Sequence, residues 1–151
     1  GKEKMRLDYF EIEGGIEKLL IEYKDIFDLL DDISQQLLQG VVTTIDEYKS
    51  ILNMSTGAYG SLQPLYSLAV AKKENAELHY YVEKKRELEG KGEKYTAASL
   101  DKEASESVAE IRRIRNILEA YVNISEKQII TAQTQLKQMA NDYKFKPVEQ
   151  I

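Results

Sequence analysis

Three features of the sequence predict an all-α fold: a long heptad-like seam after residue 100, a second helical stripe from Ile16 to Leu37, and glycines where helices should end. Along the seam, Ala104, Val108, Ile111, Arg115, Leu118, Val122, Ser125, Ile129, Ala132, Leu136 and Met139 recur at spacings of four and three. That repeat lets one helix lie along another. No proline or glycine falls between Gly92 and Pro147, so nothing interrupts the hydrogen-bond ladder. A helix of this length runs roughly 60 Å and must be covered by other helices of the chain, by another copy or by a partner. The 151 residues suit a single domain. A content of 42% hydrophobic and 31% charged residues fits helices with solvated outer faces rather than disorder. The expected architecture is an elongated helical bundle in which the long C-terminal helix forms an antiparallel hairpin and self-associates. Its parts are an arm (1–15), N-terminal helices (16–60), the hairpin (61–140) and a tail (141–151).

Residues 1–13 set mixed charge around Met5, Leu7, Tyr9, Phe10 and Ile12, a short extended arm or a frayed helix start. Gly14 and Gly15 then mark a break. Ile16, Leu19, Tyr23, Ile26, Leu30, Ile33 and Leu37, widened by Leu20 and Phe27, make the stripe of a core-facing helix. Gly40 stands where a helix C-terminus favours glycine. Ile45, Tyr48, Ile51 and Leu52 continue at helical spacing, so a second helix is expected from about Thr44 to Asn53, capped by Thr43 or Thr44. Residues 54–61, with Gly57 and Gly60 among small hydroxyl residues, are the most loop-like stretch of the chain, and residues 41–60 read either as helix or as an ordered loop. A longer helix is expected from Ser61, with Pro64 in its first turn, carrying Leu65, Leu68, Ala69, Ala76, His79 or Tyr80, and Val82 inward. Gly90 and Gly92 end it. Thr96 or Ser99 caps the long final helix, and after Asp142 a tail with Tyr143 and Phe145 leaves it.

Composition narrows the function. The net charge of −5 and a pI near 5.1 argue against a protein that coats nucleic acid through an overall basic surface. There is no cysteine, hence no disulfide framework and no thiolate nucleophile. No run approaches the roughly 18 apolar residues of a membrane span and no secretion signal opens the chain, so a cytoplasmic protein is expected. His79 is the one histidine, so a single chain builds neither a catalytic triad nor a multi-histidine metal site. With Glu83 one turn on, it holds a metal only if another helix or subunit adds ligands. The carboxylate-rich first helix (Glu17, Glu22, Asp25, Asp28, Asp31, Asp32) lacks the calcium-loop order and reads as a solvated face or a surface for a basic partner. No catalytic residue, metal site or cofactor is expected.

Arg115 occupies the seam where a hydrophobe belongs, and burying a guanidinium unpaired is costly. Either it pairs with a carboxylate across the interface or the seam is open there. The seam residues Val108, Ile111, Arg115, Leu118, Val122, Ile129 and Leu136 are the expected packing and oligomer surface. Near the hairpin tip, Lys84, Lys85, Arg86, Lys91 and Lys94, with Arg112 and Arg113, offer a phosphate-binding face with Tyr80, Tyr81 and Tyr95 to stack bases. Interleaved Glu83, Glu87, Glu89, Glu93 and Glu110 point instead to exposed ion pairs.

The run from Ala71 to Tyr81, the cluster Lys84-Lys85-Arg86 and the Gly90-Lys91-Gly92 turn precede the long capped helix. This order, with the Gly92–Thr96 segment, Tyr121 and the Ala132–Leu136 stretch, resembles small helical proteins of tailed phages that include the UvsY-type recombination mediators. The resemblance covers residues 65–140 and rests on patterning. It implies an oligomer that binds single-stranded DNA and helps a recombinase displace a single-strand-binding protein, with Lys72, Lys73, Lys84, Lys85 and Arg86 as phosphate contacts. The net acidity departs from that pattern, and the first 60 residues have no counterpart in it. The other reading is a helical adaptor, structural component or host-factor inhibitor that binds only proteins.

Overall fold

The computed structural model describes residues 8–145, and among them all regular structure is helical: α1 (Asp8–Glu11), α2 (Gly15–Gln39), α3 (Ile45–Gly90), α4 (Ala97–Ser107) and α5 (Ala109–Phe145). The helices pack as an all-α bundle. The chain falls into two compact units. One takes the chain up to Ile21 together with Pro64–Glu119, and the other takes Glu22–Gln63 with the chain from Ala120 onward. Tyr9, Ile16, Leu19, Leu65, Ala69, Leu100, Ile114 and Leu118 are buried in the first. In the second, Ile33, Val42, Tyr48, Ile51 and Ala132 form a core cluster, with Leu37, Leu136 and Met139 packed against it.

The stripe expected in α2 is the buried one: Ile16, Leu19, Phe27, Leu30 and Ile33 lie inside. Gly40 ends the helix at φ +70°. Its N–H bonds Leu37 O and the next N–H, of Val41, reaches back to Gln36 O, closing the exposed carbonyls of the last turn in the way that favours glycine. Thr44 then caps α3. Its hydroxyl accepts the Glu47 N–H at 3.1 Å, and the Glu47 carboxylate accepts the Thr44 N–H at 3.1 Å. The two residues thus satisfy each other's orphan donors in a capping box, and the Thr44 hydroxyl holds the Glu47 carboxyl below its usual range.

Two expectations fail inside the long helices. Residues 54–61 are not a loop, and no helix ends near Asn53: α3 runs without a break from Ile45 to Gly90, and Pro64 lies in its interior. The buried series Ile51, Ser55, Ala58, Leu62, Leu65, Ala69 keeps the four-three spacing through this segment. Gly57 and Gly60 are on the exposed side, where a Cβ added at either would meet nothing within 4 Å. The small residues that suggest a turn are core contacts and solvent positions of one continuous helix, in which tertiary burial overrides weak local propensity. Pro64 lacks the N–H for a bond to Gly60, but Leu62 and Leu65 on either side are fully buried.

The final helix, expected to be unbroken, is two. Thr96 caps α4 by accepting the Ser99 N–H at 3.0 Å. The helix is interrupted at Val108 (φ −111°, ψ 20°), with no glycine or proline nearby. Arg112 closes the break, its guanidinium donating to Ser105 O at 2.8 Å and Ser105 Oγ at 2.6 Å. The interruption re-phases the buried stripe. Leu100, Ala104 and Val108 are buried before it, Ile114 and Leu118 after it, while Ile111 and Arg115 stay half-buried. At the chain's other end Tyr143 and Phe145, expected in a tail, belong to α5. The expected arm before Asp8 and the tail from Lys146 lie outside the described residues.

Candidate functional site

Between Ala69 and Leu100 no residue is fully buried, so the second half of α3 offers most of its side chains to solvent. Of the nine cations expected to meet phosphate, Arg112 is bonded to Ser105 and Arg113 is exposed on α5, and the other seven lie here or just beyond. Five are engaged by carboxylates of this chain: Lys72 by Glu11 (2.7 Å), Lys73 by Glu77 (3.0 Å), Lys84 by Glu87 (3.8 Å), Arg86 by Glu83 (2.9 Å) and Lys91 by Glu87 (3.0 Å). Lys85 and Lys94 have no such partner among the described residues. Glu87, bonded by Lys91, is shifted below the usual carboxylate range and Lys91 correspondingly upward. Against these seven cations, residues 72–94 carry six glutamates, so the segment is close to neutral. Of the tyrosines expected to stack bases, Tyr95 donates its hydroxyl to Glu89 at 2.6 Å. That bond pushes its pKa up to about 12.

The segment has two differently shaped sides. On one, an open concavity of about 720 Å³ is lined by Lys72, Asn75, His79, Tyr80, Lys84 and Ser107, among others. The single histidine therefore faces solvent beside two lysines that already hold carboxylates. On the other side, hollows of about 440 and 380 Å³ flank Leu78 and Tyr81 and share both residues. Leu78 is 63% exposed, a large apolar side chain left without cover. No group of three or more His, Cys, Asp or Glu residues is arranged to hold a metal ion among the described residues, and no described helix is long and apolar enough to cross a membrane.

In the second unit, α2 exposes Asp25, Asp28, Asp31 and Asp32. Lys24 pairs with Asp28, and Tyr121 donates its hydroxyl to Asp31 at 3.0 Å while its ring lies 4.5 Å from that of Phe27. Burial first, and the bond to Asp31 second, raise the Tyr121 pKa.

The seam residues divide. Val108, Leu118 and Val122 are buried by the chain itself, and Ile111, Arg115, Ile129 and Leu136 are half-buried. Arg115 finds no carboxylate among the described residues, and its Nε is sealed from water without a partner. Sequence reasoning missed Gln128, which takes the core position one residue before Ile129. Its Oε1 accepts from Ser55 Oγ at 2.7 Å, and its Nε2 donates to Leu30 O at 2.8 Å and Ser34 Oγ at 2.9 Å. One amide thus joins α2, α3 and α5 with all its main bonds made. Ser55 and Ser125, both fully buried, were the available signal: small hydroxyl residues on a stripe leave room for a neighbouring polar side chain.

Compared with known proteins, the chain matches no family model, no curated protein and no solved structure.

Proposed function

We propose that this protein is a non-enzymatic helical adaptor that acts by binding other proteins through exposed helix faces. The ion pairing of the α3 cations carries the reading. A lysine that already holds a glutamate must give up that contact to take a phosphate, and exposed pairs exchanged one for one leave little net gain. Affinity for nucleic acid grows with the number of phosphates neutralised, and a segment with seven cations among six glutamates neutralises few. Meanwhile Leu38, 79% exposed on the helix that carries Asp25, Asp28, Asp31 and Asp32, is the kind of apolar anchor that protein interfaces bury.

The recombination-mediator reading retains one specific observation: Lys85, without a carboxylate partner among the described residues, stands beside Tyr81, a cation next to a stacking ring. Fluorescence anisotropy of a labelled single-stranded oligonucleotide, titrated at low and moderate salt, separates the two readings. The expected result is no binding even at low salt by protein that circular dichroism shows to be helical. Salt-sensitive binding that weakens on Lys85→Ala would overturn the adaptor and reinstate the mediator.

A further inference from the structure

We infer that the outer face of α3 is a self-association surface on which a second copy of this chain lies antiparallel over residues 71–88. Ala71, Glu74, Leu78, Tyr81, Lys85 and Leu88 recur at three and four, a second heptad stripe on a helix that already has one. At 3.6 residues per turn this stripe lies on the opposite side of α3 from the buried Leu62, Leu65 and Ala69. Ala71, Glu74, Leu78 and Lys85 are exposed and Tyr81 and Leu88 half-buried; Asp101 and Ala104 of α4 wall the hollow beside Glu74, Leu78 and Tyr81, so the chain covers the stripe along one flank and leaves the rest of it open.

The polar members of the stripe name the occupant. Glu74 and Lys85 have no ion-pair partner among the described residues, although Lys72, Lys73, Lys84 and Arg86 around them all do. They are eleven residues apart and cannot reach each other along one helix. When two copies run antiparallel about an axis between His79 and Tyr80, every member of the stripe meets a member of the other stripe. Ala71 faces the second copy's Leu88, Glu74 its Lys85, and Leu78 its Tyr81, and the two-fold repeats each pair.

Other arrangements lose this match. Parallel chains in register set Glu74 against Glu74 and Lys85 against Lys85. Sliding one helix by a heptad sets a charge against an apolar or aromatic side chain. Polar residues at seam positions fix register and orientation in this way at some cost in stability, and a surface complementary to itself about a two-fold is what a symmetric dimer requires. The hollows beside Leu78 and Tyr81 receive the flanking side chains of the second copy. The surface differs from the C-terminal seam, which this chain's own helices largely occupy.

The test is the molar mass by light scattering or sedimentation over a concentration series, set against the 17.3 kDa of one chain. Wild-type protein is expected to approach twice that mass. Glu74→Lys and Lys85→Glu, each creating like-charge contacts across the interface, are expected to be single chains with unchanged helicity. Mixing these two variants in equal amounts is expected to restore the doubled mass, because each then presents to the other the charge it lacks. The double variant Glu74→Lys/Lys85→Glu is expected to dimerise by itself. A wild-type mass of one chain at every concentration would overturn the inference, as would single variants that remain dimeric or a mixture that stays at one chain. Recovery in the mixture cannot arise from damaged folds.

Discussion

Gln128 is the residue through which the packing of the second unit is best tested. Its amide is buried to 3% exposure and makes three hydrogen bonds. The bond to Ser34 lies at an exposed serine and is replaced by water in a truncated variant. The other two, from fully buried Ser55 and to Leu30 O, are worth about 1 kcal/mol each. Gln128→Ala also leaves a hole where the amide was, adding about 1 kcal/mol, for a total near 3 kcal/mol. Gln128→Leu fills the space. Leu30 O keeps its helical partner, and Ser55 turns its hydroxyl to the carbonyl one turn back, so the loss falls to about 1 kcal/mol. Urea unfolding followed by far-ultraviolet circular dichroism gives both values. Combined with Ser55→Ala in a double-mutant cycle, Gln128→Leu should show a coupling of about 1 kcal/mol. Strict additivity, or a Gln128→Ala variant as stable as wild type, would refute the inter-helix role of this amide.

Three further outcomes follow from particular contacts. Gly57→Ala and Gly60→Ala should each stabilise the protein by about 0.5–1 kcal/mol, because both sites are helical, exposed and open around the new Cβ; destabilisation in thermal melts would mean that residues 54–61 are not helical. Glu47 has a folded-state pKa depressed below 4.5 by its bonds to Thr44 and Thr43, so its contribution is complete above that value and is lost as pH falls through the lower folded value. The wild-type midpoint should therefore drop more steeply than that of Glu47→Gln between about pH 5 and pH 3, and parallel curves would remove the capping box from the account. Arg115→Met should raise the unfolding midpoint by about 1 kcal/mol equivalent, because the Nε atom lies buried without a partner and an apolar chain of similar length carries no such penalty. A lower midpoint would show that the guanidinium is held favourably.

The helical class was legible because burial and periodicity agree over most of the chain. Leu19, Leu30 and Ile33 in one stripe and Val108, Leu118 and Val122 in another are the residues an amphipathic reading selects. Where reading and structure part, a tertiary contact decides against a local signal. Gly57, Gly60 and Pro64 are turn-forming residues in isolation, yet Ser55, Ala58 and Leu62 are buried between and around them and carry the helix through. The interruption at Val108 carries one faint local signal, Ser107, whose hydroxyl donates to Ala104 O at 2.6 Å and so competes with the helix ladder. It is set by which of Ile111, Ile114 and Arg115 goes inside, and by Arg112 reaching back seven residues to Ser105, a contact that no propensity reports.

The surface of α3 was harder to read, and for a different reason. Sequence patterning assigns each helix one apolar stripe, and in residues 71–94 the abundance of lysine and glutamate makes the segment look like a charged face with one inner edge. Pairing resolves it. Once Lys72, Lys73, Lys84, Arg86 and Lys91 are matched to glutamates, the remaining charged residues of the outer stripe are Glu74 and Lys85, and the residues around them are Ala71, Leu78, Tyr81 and Leu88. Charge counting alone gives these six positions no meaning, because it treats a matched lysine and an unmatched one alike. Three-dimensional pairing separates them, and the unmatched pair then falls at the two places where an antiparallel copy supplies the opposite charge.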